Sequence, residues 1–496
     1  MELQFNSKDW GCLRRVARET ASQELTQELR LPDGMPDIGL VLGSWGQVIL
    51  RSKEWVGDTV TVTGGVMVWV LYGPEDGSEP RGMDTWIPFQ LRWNRMDARQ
   101  EGPLRIMPVL RFADARTVSP RKFMIRAGIM ALAEAFCMDT CQIYAPDDLP
   151  EDVQVCRRTY PVRLPKEAGE KTFQIDEDLE LSGPEVGKLL SYTLNPVVTE
   201  TKVLTNRIAL RGNCNLHLVY QCGEGRIRIR DFEVPFSQYA DLNGTYGADG
   251  SGEVQLAVTN LELNQEEGKL RFKCALVAQY LVDDRAMVEL VEDAYSPRRQ
   301  VSLKSEMLNL PAILERRREE LPVLVHLKGI SGEVVDVFPS FDHPNQRSQP
   351  EGVAMEIPGF CQVLYQDETG MPQTATTRWE VNHSLPADEN SRILSVGRMD
   401  GNIVSVTGSH GLELRGQMEL QLETVSDAGM NMVTGLELGE EQEPNPDRPS
   451  LILRRLDGCT IWELAKRCGS TPDGIRTANN LQEEPEPGRM LLIPIK

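Results

Sequence analysis

The stretch that decides the fold is LRGNCNLHLVYQCGEGRIRIRDFEVPF, residues 210–236. After a glycine, apolar and polar residues alternate as far as Tyr220. A turn rich in glycine and charge follows, and a second run ends at Pro235-Phe236. Alternation with period two places successive side chains on opposite faces of a strand. The stretch therefore predicts two strands joined by a short turn.

The same pattern occurs at residues 62–89, VTGGVMVWVLYGPEDGSEPRGMDTWIPF. The step from Tyr72 to Pro88 is 16 residues, against 15 residues from Tyr220 to Pro235. Because both the order of features and their spacing agree, the two stretches are interpreted as copies of one structural unit.

A weaker third copy is IPGFCQVLYQDETGMPQTATTRWEVNHSL, residues 357–385. Tyr365 takes the tyrosine position in this copy, and Asn382-His383 stands where the other copies have Pro-Phe. The third copy also carries a polar insertion near PSFDHPNQRSQPEG. Three units are therefore expected, of which the third is divergent.

The similarity between the three copies continues beyond these stretches. Residues 119–136, 266–282 and 408–424 occupy the same place in the first, second and third copy. The first of these, SPRKFMIRAGIMALAEAF, is rich in good helix formers and taken alone could be a helix. The other two alternate with period two, as in LELRGQMELQLE, which predicts strands. If the copies share a fold, residues 119–136 form a strand as well.

Each unit is thus about 100 residues of short strands separated by Gly, Asp and Pro turns, which favours a mainly β fold built from β-sandwiches or open barrels. Two segments outside this pattern are less regular. Residues 1–30 are predicted to form an N-terminal arm or helix, and residues 302–321 have apolar residues at helical spacing that predict a connector helix.

Composition narrows the classes of function. The chain has 496 residues, of which 74 are acidic and 53 basic, for a net charge of -21. Such a field repels a phosphate backbone, so nucleic-acid binding is not expected. No stretch approaches the length of a membrane span, and the N-terminus lacks the basic and apolar regions of an export signal. A cytoplasmic protein with no membrane insertion is expected.

The C-terminal segment TIWELAKRCGSTPDGIRTANNL, residues 460–481, predicts two short helices. Thr460 and Glu463 make a capping box, and Gly469 can end the first helix in the left-handed conformation. Thr471 followed by Pro472 starts the second helix. The flanking runs LILRRL and MLLIPI predict strands, which gives a small β-α-α-β module.

These residues carry two family resemblances. The stretches ALRGNCNLHLVY, FEVPFSQYADLNG and EDAYSPRRQ resemble the SPOCS domain of spore-forming Firmicutes, and the C-terminal module resembles LysM. The resulting domain assignment follows in chain order. It comprises an arm or helix at 1–30, SPOCS-like repeats at 31–145 and 146–300, a connector helix with a divergent third repeat at 301–437, an acidic Pro-rich linker at 438–450, and LysM at 451–496.

The resemblance implies a scaffold or adaptor in endospore coat assembly, working in the mother-cell cytoplasm at the forespore surface. The implied partner is a SpoIVA-like coat morphogenetic ATPase, captured through the LysM module and the β-repeats. LysM folds usually cradle N-acetylglucosamine polymers, so a peptidoglycan-binding or chitin-binding envelope or cortex protein is the alternative.

The resemblance also places the binding face on two loops, Gly458–Ile461 and Asn480–Pro485. The predicted partner-binding or glycan-binding residues are Gly458, Cys459, Thr460, Ile461, Trp462, Asn480, Leu481, Gln482, Glu483 and Glu484. The usual Gly-Asp of the family is Gly458-Cys459 here, which removes a carboxylate acceptor, and the second loop has a glutamate rim. Both departures favour a protein partner over a glycan. Trp462 is interpreted either as a packing residue of the first helix or as an exposed anchor.

Catalytic and metal chemistry are not expected. The five histidines have no metal-binding spacing, and the ten cysteines include no CxxC pair. Most of the cysteines lie in apolar runs, which predicts buried, reduced thiols. The glycine-rich stretch NGTYGADGSG, residues 243–252, lacks the Lys-Ser/Thr of a phosphate loop and is interpreted as a turn between strands. No enzyme activity, cofactor or metal is predicted.

Overall fold

A computed structural model describes the chain apart from residues 95–100, 181–186, 223–225, 267–268, 329, 331, 351, 388–390, 400–402, 409–410, 427, 443–448 and 496. The fold is mainly β, as predicted, and the described residues contain two short helices, both in the C-terminal module. Part of the predicted acidic linker lies outside the described residues, as does His410, one of the five histidines.

The first unit consists of six strands in two three-stranded antiparallel sheets. After a short strand β1 (Glu2–Gln4), its strands are β2 (Asn6–Arg30), β3 (Ile38–Val56), β4 (Thr59–Pro74), β5 (Arg81–Asn94), β6 (Leu104–Ser119) and β7 (Lys122–Ala145). One sheet has the order β3-β4-β5 and the other the order β2-β7-β6. Their facing sides enclose a core of valine, alanine, isoleucine and aromatic side chains.

The second unit repeats this topology. Its strands are β8 (Gln154–Glu180), β9 (Leu189–Leu204), β10 (Arg207–Gln221), β11 (Ile227–Asp241), β12 (Ser251–Glu266) and β13 (Lys269–Tyr295). The sheet orders are β9-β10-β11 and β8-β13-β12, which correspond strand for strand to those of the first unit. The glycine-rich stretch 243–252 runs into β12 and connects it to β11, as predicted.

The third unit has the same plan with two interrupted strands. After a separate strand β14 (Arg299–Leu308), its strands are β15 (Ile313–Leu327), β16 (Glu333–Phe341), β17 (Asn345–Gln349), β18 (Gly352–Gln366), β19 (Pro372–Leu385), β20 (Ser391–Met399), β21 (Val404–Gly408) and β22 (Gly411–Ser426). β16 and β17 pair in succession with one edge of β18, and β20 and β21 do the same along β22. Each broken pair thus takes the place of one continuous strand in the other units.

The shared topology settles several local predictions. Of residues 119–136, all from Lys122 onward lie in a strand, β7, as the repeat indicated and against their helix propensity. The N-terminal arm or helix is a strand, β2, whose whole length pairs with β7 in the first unit. The predicted connector helix at 302–321 is wrong, because these residues form the end of β14, a short connection at 309–312 and the first part of β15. In β15 the side chains of Leu321, Val323, Val325 and Leu327 are buried alternately against the third core.

The repeated glycine has a physical explanation in the strand pairing. Gly64 lies opposite Phe89, and Gly212 lies opposite Phe236. A Cβ on either glycine would come within 2.7 Å of the ring that covers it. The glycine and the Pro-Phe signature therefore form one cross-strand pair, in which an aromatic ring covers the exposed backbone.

The third unit also has a glycine covered by an aromatic ring, but this pair is shifted by two residues along the strands. Trp379 covers Gly359, and Glu380-Val381 occupies the position of Pro-Phe in the pairing. The assignment of that position to Asn382-His383 is therefore wrong by two residues. Because a side chain two residues along lies on the same face of the strand, the covering contact survives the shift.

Each unit contacts the other two. Between the first and second units, the Gln279 side chain makes hydrogen bonds to both the N–H and the carbonyl of Ile106, at 2.8 Å each. Between the second and third units, Arg316 pairs with Asp283. Between the first and third units, the Trp45 and Phe338 rings stack with their centroids 4.0 Å apart. The three units therefore form one interlocked body.

The polar insertion of the third unit contributes directly to this interlock. The break between β16 and β17 buries Asp342 and His343, which bind β6 of the first unit. Asp342 pairs with Arg111 at 2.7 Å, and His343 Nε2 donates to the Met107 carbonyl at 2.7 Å. The insertion that departs most from the repeat pattern is thus a contact between units.

A further three-stranded sheet joins segments outside the three units. It has the order β1-β23-β14, where β23 spans Met430–Glu441 and follows the third unit. The C-terminal module comprises β24 (Leu451–Arg455), α1 (Ile461–Cys468), α2 (Pro472–Ala478) and β25 (Met490–Pro494). β24 and β25 pair antiparallel, so the element order is the predicted β-α-α-β.

Candidate functional site

The first loop of the candidate site ends in the capping box of α1. Thr460 Oγ1 accepts a hydrogen bond from the Glu463 N–H, and the Glu463 carboxylate accepts one from the Thr460 N–H. Gly469 ends the helix with φ +65°, in the left-handed region. Both ends of α1 are therefore fixed by the residues that the sequence indicated.

The second loop is fixed to the module by Asn479. Its side-chain amide donates to the carbonyls of Ile475 and Leu492, and its oxygen accepts from the Leu492 N–H. These contacts join the end of α2 to β25. The next residue, Asn480, has φ +51° and turns the chain into the loop.

A glutamate bridges the two loops. One oxygen of Glu484 accepts a hydrogen bond from the Ile461 N–H at 3.3 Å, and the other pairs with Arg476 at 3.0 Å. The Ile461 N–H is one of the free donors at the start of α1. This donor, which faces the space between the loops, is therefore already occupied by a side chain of the module itself.

The structure divides the ten predicted site residues by exposure. Ile461 is fully buried in the core of the module, whereas Cys459, Trp462 and Leu481 are half-buried. The exposed members are Gly458, Thr460, Asn480, Gln482, Glu483 and Glu484. The two loops lie side by side through the Glu484 bridge, and the surface that they offer is polar and acidic.

Trp462 is directed at the second unit. Its indole Nε1 donates to Asp293 at 2.8 Å, and its ring contacts Tyr295 edge-on with the centroids 4.9 Å apart. Lys466 also pairs with Asp293, and the Tyr295 hydroxyl donates to the Ser470 carbonyl. Trp462 is therefore a packing residue that docks the module onto β13. Its interpretation as an exposed anchor is not supported.

The outer face of the β24-β25 pair is a surface that the sequence reasoning missed. Leu451, Leu453, Met490 and Leu492 are each 38–57% exposed. Leu453 pairs directly with Leu492, and the other two lie on the same face of the sheet. The sequence does contain an indication of this exposed apolar face. The runs LILRRL and MLLIPI have more apolar positions than one buried face of a two-stranded sheet needs.

Two histidines of the β-units, His217 and His383, form ion pairs with carboxylates. The ring nitrogens of His217 contact Asp231 at 2.6 Å and Asp336 at 2.8 Å. Burial lowers the pKa of His217, but the hydrogen bonds to the two aspartates outweigh this and raise it to about 10. The imidazole therefore stays protonated and links the second unit to the third. His383 pairs similarly with Glu319 at 2.6 Å.

One group of metal-ligating side chains occurs among the described residues. The ligand atoms of Cys12, Asp139 and Cys141 lie within 4.8 Å of one another. Arg14 pairs with Asp139 and brings a positive charge to the same place. Burial and the neighbouring Cys141 raise the pKa of Cys12 to about 12, which keeps its thiol protonated. The Arg14 guanidinium beside these ligand atoms disfavours a cation at this place.

Seven of the ten cysteines are buried, as the sequence predicted. Within the described part of the chain, neither helix has the length or apolar character needed to cross a bilayer.

Comparison with known proteins gives one match. Residues 185–266 match the family model described as SipL, SPOCS domain. The match spans the β9-β10-β11 sheet and β12, and so covers the stretch 210–236 on which the repeat is defined. This part of the second unit is similar to a SPOCS domain, and the other units share its topology. No curated protein and no solved structure matches the chain.

Proposed function

We propose that this protein is a non-enzymatic adaptor in endospore coat assembly. In this role it uses its C-terminal LysM-like module to capture a SpoIVA-like coat morphogenetic ATPase at the forespore surface. The SPOCS match at residues 185–266 supports a role in sporulation. The interlocked β-units support a rigid scaffold, since each unit is held by both of the others through buried polar contacts.

The observation that carries the choice of ligand is the Glu484 bridge. A glycan would need free hydrogen-bond donors and aromatic faces between the loops. The Ile461 N–H is instead occupied by Glu484, and Trp462 is turned towards Asp293 and Tyr295. The exposed groups of the module include Gln482, Glu483 and the apolar outer face of β24 and β25. Acidic and apolar groups together suit a basic protein surface.

Direct binding of the full chain to two probes tests this proposal. Titration with the purified coat ATPase is expected to give saturable binding that weakens with salt, whereas titration with chitin oligomers is expected to give none. Glu483→Lys reverses an exposed charge without touching the Glu484 bridge, and it is expected to weaken ATPase binding by about tenfold.

A matched control is Glu306→Lys, which reverses an exposed charge on β14 and should leave ATPase binding unchanged. Binding of chitin oligomers without binding of the ATPase would overturn the adaptor proposal in favour of a glycan-binding envelope protein. Equal effects of the two charge reversals would show that the loops are not the binding face.

A further inference from the structure

A polar cavity lies where the three units meet. Its volume is about 350 Å³, and residues from all three units line it. The first unit contributes Arg15 and Arg18, the second Glu253, and the third Arg316 and Glu423. An internal space of this size, lined by charged groups, is unusual in an otherwise apolar set of cores.

The lining is richer in positive than in negative charge. Five arginines reach the cavity, namely Arg15, Arg18, Arg316, Arg317 and Arg318, against three glutamates. This surplus occurs in a chain whose net charge is -21. The surplus applies to the lining itself, since Asp283, Glu319 and Glu419 lie outside the lining and pair with Arg316, Arg317 and Arg318.

The deep arginines are not fully satisfied by these glutamates. Arg15 pairs with Glu423 at 2.7 Å, and Arg316 pairs with the same carboxylate at 2.8 Å. Nη2 of Arg316 is buried without a hydrogen-bond partner among the described residues. Arg15 Nε lies 3.1 Å from Glu134 but outside hydrogen-bonding geometry. Buried donors of this kind are costly unless something accepts from them.

Arg18 differs from these two, because its Nη2 donates to the Ser395 carbonyl at 2.5 Å. Its Nε donates to Glu134 at 3.2 Å, but that carboxylate also lies within ion-pair distance of Arg15 and Arg105. Burial lowers the pKa of Arg18 and outweighs the attraction of Glu134. One carboxylate thus serves three guanidinium groups.

The remaining arginines form the entrance. The side chain of Arg317 is 36% exposed and that of Arg318 is 59% exposed, and both have carboxylate partners near the surface. They therefore mark the part of the lining that is most exposed to solvent.

We propose that the cavity binds a small oxyanion with two or more charged groups, and that this ligand links the three units. Guanidinium groups recognise carboxylate and phosphate oxygens in bidentate geometry, and the unsatisfied N–H groups supply donors for them. The volume exceeds the need of a single phosphate and suits a diphosphate or a tricarboxylate. The site is separate from the LysM-like loops and does not depend on the proposed function.

Pyrophosphate and citrate are the probes for this site, with sodium chloride at equal ionic strength as the reference. For the full chain, calorimetry is expected to give saturable binding at one site. Thermal unfolding is expected to shift upward with either probe beyond the effect of chloride. The response to the two probes distinguishes a phosphate from a carboxylate ligand.

The double variant Arg317→Gln with Arg318→Gln tests the location. Both side chains lie near the surface, so the variant is expected to fold, and it should bind the probes about tenfold more weakly. Arg347→Gln, on an arginine whose side chain is 79% exposed, is the control and should bind normally. No saturable binding beyond chloride, or equal binding by the double variant and the control, would overturn the proposal.

Discussion

Gly212 is a position where the backbone leaves no room for a side chain. A Cβ there would lie 1.9 Å from the Val197 carbonyl oxygen and 2.6 Å from the Phe236 ring. We predict that Gly212→Ala destabilises the second unit by about 1–3 kcal/mol, because either the β9-β10 pairing or the ring must move. Thermal unfolding and amide hydrogen exchange of β10 measure this effect.

Gly247→Ala is the matched control for this substitution. Gly247 lies in the turn before β12, and a Cβ there meets nothing within 4 Å. The stability of the Gly247→Ala variant should therefore equal that of the wild type. Equal exchange rates for β10 in the two variants would show that the aromatic cover over Gly212 is not structurally required.

His343 makes the stability of the folded protein depend on pH. It is 2% exposed, and burial lowers its pKa from 6.5 to about 4. Below pH 6.5 His343 is protonated in the unfolded chain but stays neutral in the folded protein until the pH approaches 4. The free energy of unfolding therefore falls as the pH drops from 6.5 towards 4. The loss attributable to this residue is about 3 kcal/mol at most.

Denaturant unfolding of wild type and His343→Gln between pH 7 and pH 4 tests this prediction. The wild type is expected to lose more stability over that interval than the variant. His326→Gln, on a side chain that is 60% exposed, should follow the wild type. Parallel pH profiles for wild type and His343→Gln would contradict the assignment.

At the scale of the element, α1 depends on its capping box. Thr460→Ala removes the acceptor for the Glu463 N–H and leaves the first turn of an eight-residue helix without its cap. We predict a local loss of about 1 kcal/mol. Hydrogen exchange of residues 460–469 should quicken.

The control for the cap is Thr477→Ala, on an exposed residue of α2. Exchange in α1 should be unaffected by that change. If both threonine variants gave wild-type exchange in residues 460–469, the capping box would not determine the stability of α1.

Some of the helices and strands could be predicted from the sequence, and others could not. The caps of α1 and α2 were predictable because each is formed by residues three apart in the chain. Residues 302–321 were misassigned because their pairing partners lie in β22 and β23, 97 to 135 residues away. The strand at 119–136 was recovered only because two further copies showed the alternation that this copy conceals.

At the scale of the whole molecule, the contacts between units were not predictable. Asp342 and His343 are polar residues in a polar insertion, and their partners Arg111 and Met107 lie more than 220 residues earlier in the chain. The docking of Trp462 on Asp293 likewise joins residues 169 apart. Local patterns predict which residues can make such contacts, but not which partner they meet.

The docked module has a consequence for the proposed adaptor. Trp462 and Lys466 fasten it to β13 through Asp293, so the loops carrying Gln482 and Glu483 are presented by a rigid body and not by a free tether. A partner bound at these loops would be held in a fixed orientation to the β-units. This arrangement suits a scaffold that positions one coat component relative to another.

The central claim is that the exposed loops of this module recruit the protein to the forespore. The most direct measurement is fluorescence microscopy of the full-length chain fused to a fluorescent protein in sporulating cells. The wild type and Glu306→Lys are expected to encircle the forespore, and Glu483→Lys to spread through the mother cell. A diffuse wild type, or an undisturbed ring with Glu483→Lys, would contradict the account.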